Sequence, residues 1–204
     1  MFRTALVLFC FTLASFAITS FATAGEYNEV LKIGDLAPAW DNLPGVDGKQ
    51  HSLRDLQDKK VVVVVFTCNS CPAARDYEDR IIELAKSSTE IAIIAINVNR
   101  IPDDSMEKMI ERAKSKGLPY PYLLDESQKI AKQYGANFTP EFFVLDGDRK
   151  VVYMGSMDDN TDAKLAKKHY VRDATAAVLA GKQPNVSETL ARGCRVRYAR
   201  EPRK

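Results

Sequence analysis

The sequence predicts an α/β domain: a mixed central sheet flanked by helices, with a β-hairpin extension at its N-terminal end. Three observations carry this. Strand-like and helix-like segments first alternate, then give a hairpin, then a helix, an order that sandwiches a sheet between helices. Val61-Val62-Val63-Val64-Val65-Phe66 is an uninterrupted apolar run, the pattern of a strand buried on both faces. Directly after it comes Cys68-Asn69-Ser70-Cys71-Pro72 and then an amphipathic helical pattern, so two thiols fall at a strand-to-helix junction.

The elements follow in order. Arg3, the apolar stretch Thr4 to Ile18 and the small-x-small triplet Ala22-Thr23-Ala24 form a signal peptide over residues 1–24. The protein is therefore expected to be exported and periplasmic, or membrane-anchored if the segment stays uncleaved. Residues from Gly25 to Asn42 are an entry segment with Pro38 and the only tryptophan, Trp40, which reads as core. Gly45-Val46-Asp47-Gly48 is a turn between two short hairpin strands. Ser52 caps a helical turn through Leu56, ahead of the strand Val61 to Phe66.

Pro72 suits a first helical turn, where its missing N–H would be unpaired anyway, and Ala74, Tyr77, Ile81 and Leu84 make that helix's inner face. Ile91 to Val98 is a second buried strand. A helix from Asp104 or Ser105 runs to near Gly117, and Tyr122 to Leu124 is a short strand. Ser127 caps the helix leading to Gly135. Glu141 to Leu145 and Val151 to Gly155 are strands joined by the turn Asp146-Gly147-Asp148, and a long final helix runs from Thr161 or Asp162 to Gly181. The domain thus spans residues 25–181. Residues 182–204 form a basic tail, where from residue 192 on Arg192, Arg195, Arg197, Arg200, Arg203 and Lys204 face only Glu201 and read as a solvated end.

The formal net charge of +2 points to no nucleic-acid partner, and no membrane role is expected beyond export. Of the four cysteines, Cys10 leaves with the signal peptide, and Cys68, Cys71 and Cys194 remain. An odd number in an exported chain is wrong for a disulfide-stapled scaffold and suits one active pair plus one extra. At a helix N-terminus, unpaired backbone N–H groups and the dipole favour a thiolate, the species that attacks disulfides. A second cysteine one turn later can resolve the mixed disulfide. A zinc site would want four ligands, and these three cysteines with His51 and His169 offer no local cluster, so no metal is assigned. Thr139-Pro140 stands at the start of the strand Glu141 to Leu145, and X-Pro is where cis peptide bonds occur. Cys194, among arginines that would lower its pKa, is a candidate additional redox thiol or an ordinary free cysteine.

These residues resemble a known family. The Cys-x-x-Cys-Pro junction and Thr139-Pro140-Glu141-Phe142-Phe143-Val144-Leu145-Asp146 look like the thioredoxin fold. Ile33-Gly34-Asp35-Leu36-Ala37-Pro38, Gly45-Val46-Asp47-Gly48 and Ser52-Leu53-Arg54-Asp55-Leu56 resemble the redoxin branch, which includes the alkyl hydroperoxide reductase/thiol-specific antioxidant proteins. His169-Tyr170-Val171-Arg172-Asp173-Ala174 and Gly193-Cys194 resemble an exported bacterial subgroup with Cys-x-x-Cys-Pro. The resemblance implies that Cys68 is an exposed nucleophile and Cys71 a more buried resolving thiol. It also implies that Thr139 and Pro140 form a cis-proline segment whose backbone binds a substrate chain and keeps metal from the thiols. Thr67 replaces the family's usual tryptophan, Asn69-Ser70 replaces Gly-Pro, and no acid lies in Val61 to Phe66, so Glu78 or Asp79 is left as the nearest acid, each on what reads as a solvated helix face.

The expected function is an exported thiol–disulfide oxidoreductase. Its partners would be protein or small-molecule disulfides and thiols with a separate electron donor or acceptor, and no organic cofactor is needed because the cysteines carry the electrons. Two alternatives stand. Cys71-Pro72 also fits a peroxiredoxin-like peroxidase with Cys71 as the peroxide-reacting thiol, and a copper-handling thioredoxin fold would use the cysteines with His169.

Overall fold

The computed structural model describes residues 25–200; the expected signal peptide, residues 1–24, and residues 201–204 lie outside the described residues. The hairpin forms as β1 (Leu43–Pro44) paired antiparallel with β2 (Gln50–His51). Ser52 then starts a 3-10 turn, Leu53–Leu56, with its backbone N–H donating to the Asp55 carboxylate at 2.8 Å. The central sheet is built from β3 (Val61–Phe66), β4 (Ile91–Asn97), β5 (Tyr122–Leu124), β7 (Glu141–Leu145) and β8 (Val151–Gly155) in the order β5-β4-β3-β7-β8. β3, β4 and β5 are parallel, and β7 and β8 are antiparallel to their neighbours. With α1 (Pro72–Ser87), α2 (Met106–Lys116), α3 (Lys129–Tyr134) and α4 (Tyr170–Leu179) packed around it, this is the mixed, thioredoxin-like sheet the sequence predicts. Among the described residues no helix is long and apolar enough to cross a membrane.

β3 divides the core. Side chains alternate across a strand, so Val61, Val63 and Val65 enter one cluster with Tyr77, Ile81 and Leu84 of α1, Met109 of α2 and Val171 and Ala174 of α4. Val62, Val64 and Phe66 enter the other with Trp40, Leu53, Ala131 and Tyr134. Phe66, Tyr134 and Phe143 meet edge to face in that second cluster, with centroids 5.1–5.7 Å apart.

Three expectations need correction. The last helix begins at Tyr170, after His169, and not at Thr161 or Asp162. The Asp- and Asn-rich segment before it closes on itself: the Asp159 carboxylate accepts from the N–H groups of Lys167 and Lys168, and Asp162 from that of Lys164. Such side chain–backbone bonds compete with the helix ladder. At α3 the cap is shared, because Ser127 Oγ accepts from Lys129 N–H at 3.2 Å and Asp125 from Ile130 N–H at 2.9 Å.

The third correction concerns the basic tail, which is not a solvated end over the described residues. It first follows β8, where Met154 and Thr189 exchange backbone bonds with Ser187 and Met154. It then forms β9 (Cys194–Arg195), antiparallel to β6 (Phe138–Thr139). Ala191 and Val196 are buried, and the Gln128 side chain holds Arg197 O at 2.9 Å and Ala199 N–H at 2.8 Å.

Candidate active site

The fold brings the Cys-x-x-Cys segment and Thr139-Pro140 together. Both lie where the sheet order reverses, since β3 carries its chain onward to β4 on one side and has β7 on the other. Ligands and reactive groups in α/β sheets gather at such switch points. Phe66, the last residue of β3, stands opposite Glu141, the first of β7. The thiols leaving β3 therefore meet the residues entering β7, and Thr139-Pro140 is a cis peptide there.

Cys71 is the N-cap of α1, and the Ala74 N–H donates to its Sγ at 3.4 Å. Cys68 Sγ lies 3.5 Å from Thr139 Oγ1 and from Ser70 Oγ, and Cys71 Sγ lies 2.9 Å from the Thr139 carbonyl oxygen, to which it donates while it holds its proton. Both sulfurs are covered: Cys68 is 4% exposed and Cys71 1%. The Ser70 hydroxyl sends its hydrogen to Asp104 at 2.7 Å and that of Thr139 points to Cys194 O at 3.4 Å, which leaves their lone pairs facing Cys68.

This arrangement divides the protons unequally. Cys71 is brought down to about 4, chiefly by the hydrogen bond from Cys68, with burial opposing and the Ala74 N–H assisting. Cys68 is pushed up because it holds that shared proton, because it is buried, and because the Asp104 carboxylate is near. The two thiols titrate as one unit, with an easy first ionisation and a difficult second. The sequence suggests the thiolate on Cys68; in the folded pair the first proton lost belongs to both sulfurs together.

Asp104 is a site residue that sequence reasoning takes only for a helix start. It is fully buried and accepts from Ser70 N–H at 2.9 Å, Ser70 Oγ and Asn99 Nδ2 at 3.1 Å, so it pins the residues between the two cysteines. Asn69 is held as well, donating to Asp103 O and accepting from Tyr122 Oη, both at 3.1 Å. Glu141 is the second buried acid beside the thiols' strand. Burial lifts its pKa to about 7, against the opposing pull of the N–H groups of Phe138 and Asn137 that it accepts. Glu78 and Asp79 instead pair with Arg112 and Lys116 on the helix surface.

Cys194 is exposed, yet it reaches the pair. Its residue stands opposite Thr139 in the β6–β9 register, and its side chain hydrogen-bonds Cys71. That bond, burial and the charge on Cys71 push the Cys194 thiol up to about 11, while Arg197 pulls the other way. Residue 193 has to be glycine for this approach, since a Cβ would fall 2.1 Å from Thr139 O. His169 lies elsewhere, its Nδ1 3.0 Å from the Asp158 carboxylate that also pairs with Arg80. Among the described residues no group of three or more His, Cys, Asp or Glu side chains could hold a metal ion.

Known proteins are similar to this chain. The Redoxin family matches residues 32–171. The thiol-disulfide oxidoreductase ResA of Geobacillus thermodenitrificans is 26% identical over 147 residues, covering 71% of this chain and 81% of that one. Peroxiredoxin Bcp of Escherichia coli is 28% identical over 140 residues, covering 61% and 85%. A crystal structure of an uncharacterized conserved protein from Geobacillus kaustophilus superposes with a TM-score of 0.78 at 32% identity, covering 84% of this chain and 94% of that one. The family match runs from the entry segment through the thiols and the cis-proline strand into the last helix, and the chain belongs to the Redoxin family.

Proposed function

We propose that this thiol oxidoreductase of the Redoxin family is exported and exchanges disulfides through Cys68 and Cys71. The observation that carries the reading is a dithiol with one easily lost proton at a helix N-terminus, packed against Thr139-Pro140. A proton shift along the Cys68–Cys71 hydrogen bond moves the charge to Cys68, the more accessible sulfur. Cys68 thiolate attacks a substrate disulfide, forming a mixed disulfide and releasing one substrate thiolate. Cys71 then attacks Cys68 Sγ, releases the second, and the protein is left oxidised by two electrons. Run backwards, the oxidised pair accepts electrons from substrate thiols. Export rests on the sequence of residues 1–24. Cys71→Ser is expected to abolish insulin-disulfide reduction, and full retention of activity would refute the assignment.

A second reading has its own support. Cys71 is the sulfur with the depressed pKa, Pro72 follows it, and relatives named peroxiredoxins match alongside ResA. A peroxidase would attack peroxide with Cys71 and resolve the sulfenic acid with Cys68. Stopped-flow peroxide consumption separates the two. Fast consumption that survives Cys68→Ser but not Cys71→Ser favours the peroxidase.

A further inference from the structure

The proposed pair has an access problem that the tail answers. Cys68 and Cys71 are 4% and 1% exposed, whereas Cys194 is exposed and touches Cys71. Thr139 links the three cysteines: its hydroxyl lies 3.5 Å from Cys68 Sγ, its carbonyl oxygen 2.9 Å from Cys71 Sγ, and Cys194 is its partner in the β6–β9 register. The backbone of Thr139, which a substrate chain would need under the reading above, is already paired with the protein's own strand at Cys194. Several separate ties hold that strand down. Thr139 Oγ1 donates to Cys194 O, Val196 N–H donates to Asn137 O at 3.0 Å, and Asn99 Oδ1 accepts from Arg197 N–H at 3.0 Å. Val196 is buried, and Arg195 lies over the Phe138 ring with its guanidinium carbon 5.3 Å from the centroid. The chain has laid its own cysteine where a substrate sulfur would arrive.

We propose that Cys194 is a third redox thiol, through which the buried Cys68–Cys71 pair exchanges electrons with external disulfides and thiols. The proposal rests on the assignment of Cys68 and Cys71 as the active pair and puts Cys194, in place of Cys68, as the thiol that first meets the external disulfide. Facing an external disulfide, Cys194 thiolate attacks one sulfur, forms a mixed disulfide and releases the first external thiolate. Cys71 thiolate attacks Cys194 Sγ, forms the Cys71–Cys194 disulfide and releases the second. Cys68 thiolate then attacks Cys71 Sγ, closing Cys68–Cys71 and returning Cys194 as a thiolate that picks up a proton. Each step forms one S–S bond and breaks one, and in sum one external disulfide is reduced while two protein thiols are oxidised. The reverse sequence serves external thiols. The charge environment suits the return step: in the oxidised pair Cys71 carries no charge and accepts no S–H, so the main cause holding Cys194 protonated is gone and Arg197 remains.

The test uses the full chain. Reduced Cys68→Ser protein is treated with one equivalent of oxidised glutathione, quenched with iodoacetamide and mapped by mass spectrometry; an intrachain Cys71–Cys194 disulfide in a monomer is expected. In parallel, Cys194→Ser and Cys194→Ala should oxidise at least tenfold more slowly than wild type with insulin as the disulfide, while diamide still closes their Cys68–Cys71 bond. A merely loosened strand would expose the pair and speed its oxidation instead. Absence of the Cys71–Cys194 bond in Cys68→Ser, or wild-type rates with insulin in both Cys194 variants, overturns the relay and leaves the pair standing. Failure of diamide to close Cys68–Cys71 in the wild-type protein overturns the pair and the relay with it.

Discussion

The sulfur of Cys71 receives the Cys68 S–H and, more weakly, the Ala74 N–H. The neighbouring thiol therefore outweighs the helix terminus in setting the acidity of this residue. Cys68→Ala is expected to raise the Cys71 pKa, read from thiolate absorbance near 240 nm against pH; an unchanged pKa would assign the acidity to the helix instead. The two cysteines are legible in the sequence because their signal is local, a thiol spacing after a strand, whereas the cis form of Pro140 is implied only by the family resemblance. Asp104 carries no such signal. It lies 34 residues beyond Ser70, and only the packing of the segment after β4 against the thiol loop gives its carboxylate a partner.

Two elements have consequences of their own. In β7 the Glu141 carboxyl titrates near 7 in the folded protein, above its ordinary value of 4.5. Between those two values the unfolded chain has released its proton and the folded one has not. Stability therefore falls as pH rises through that window, by on the order of 3 kcal/mol, and is level above it. Glu141→Gln keeps an oxygen to accept the Asn137 and Phe138 N–H groups, so it should flatten this dependence in urea melts at pH 5 and pH 8. Immediately before β9 the controlling residue is Gly193. Gly193→Ala puts a methyl against the Thr139 carbonyl and should lift the strand, raising the iodoacetamide trapping rate of Cys68 and Cys71 at least fivefold with little change in circular dichroism. Sequence periodicity does hint at this strand, because Cys194-Arg195-Val196-Arg197-Tyr198 alternates small or apolar with charged residues. The arginine count hides the alternation and makes the segment look like a solvated tail.

Across the whole molecule, β3 separates two cores that share no side chain from it. Val63 and Val64 are chain neighbours but belong to different clusters. Val63→Ala and Val64→Ala should each cost about 2 kcal/mol, and the double variant should equal their sum within about 0.5 kcal/mol in denaturant unfolding. Coupling of more than 1 kcal/mol would mean that the two half-cores relax together. The order of strands and helices is legible in the sequence because hydrophobic period and turn residues agree along most of the chain. It fails in the Asp158–Asp162 run, where carboxylates capture backbone N–H groups, and at the C-terminal end, where burial is decided by a surface more than fifty residues away in sequence.

The covering strand is also the last part of the domain to be made. A chain synthesised from its N-terminus has completed β3, α1 and the β6–β7 turn before the residues of β9 exist. Until those residues emerge, no strand can pair with β6, and the two thiols lack the segment that covers them in the folded chain. The finished molecule closes that window itself.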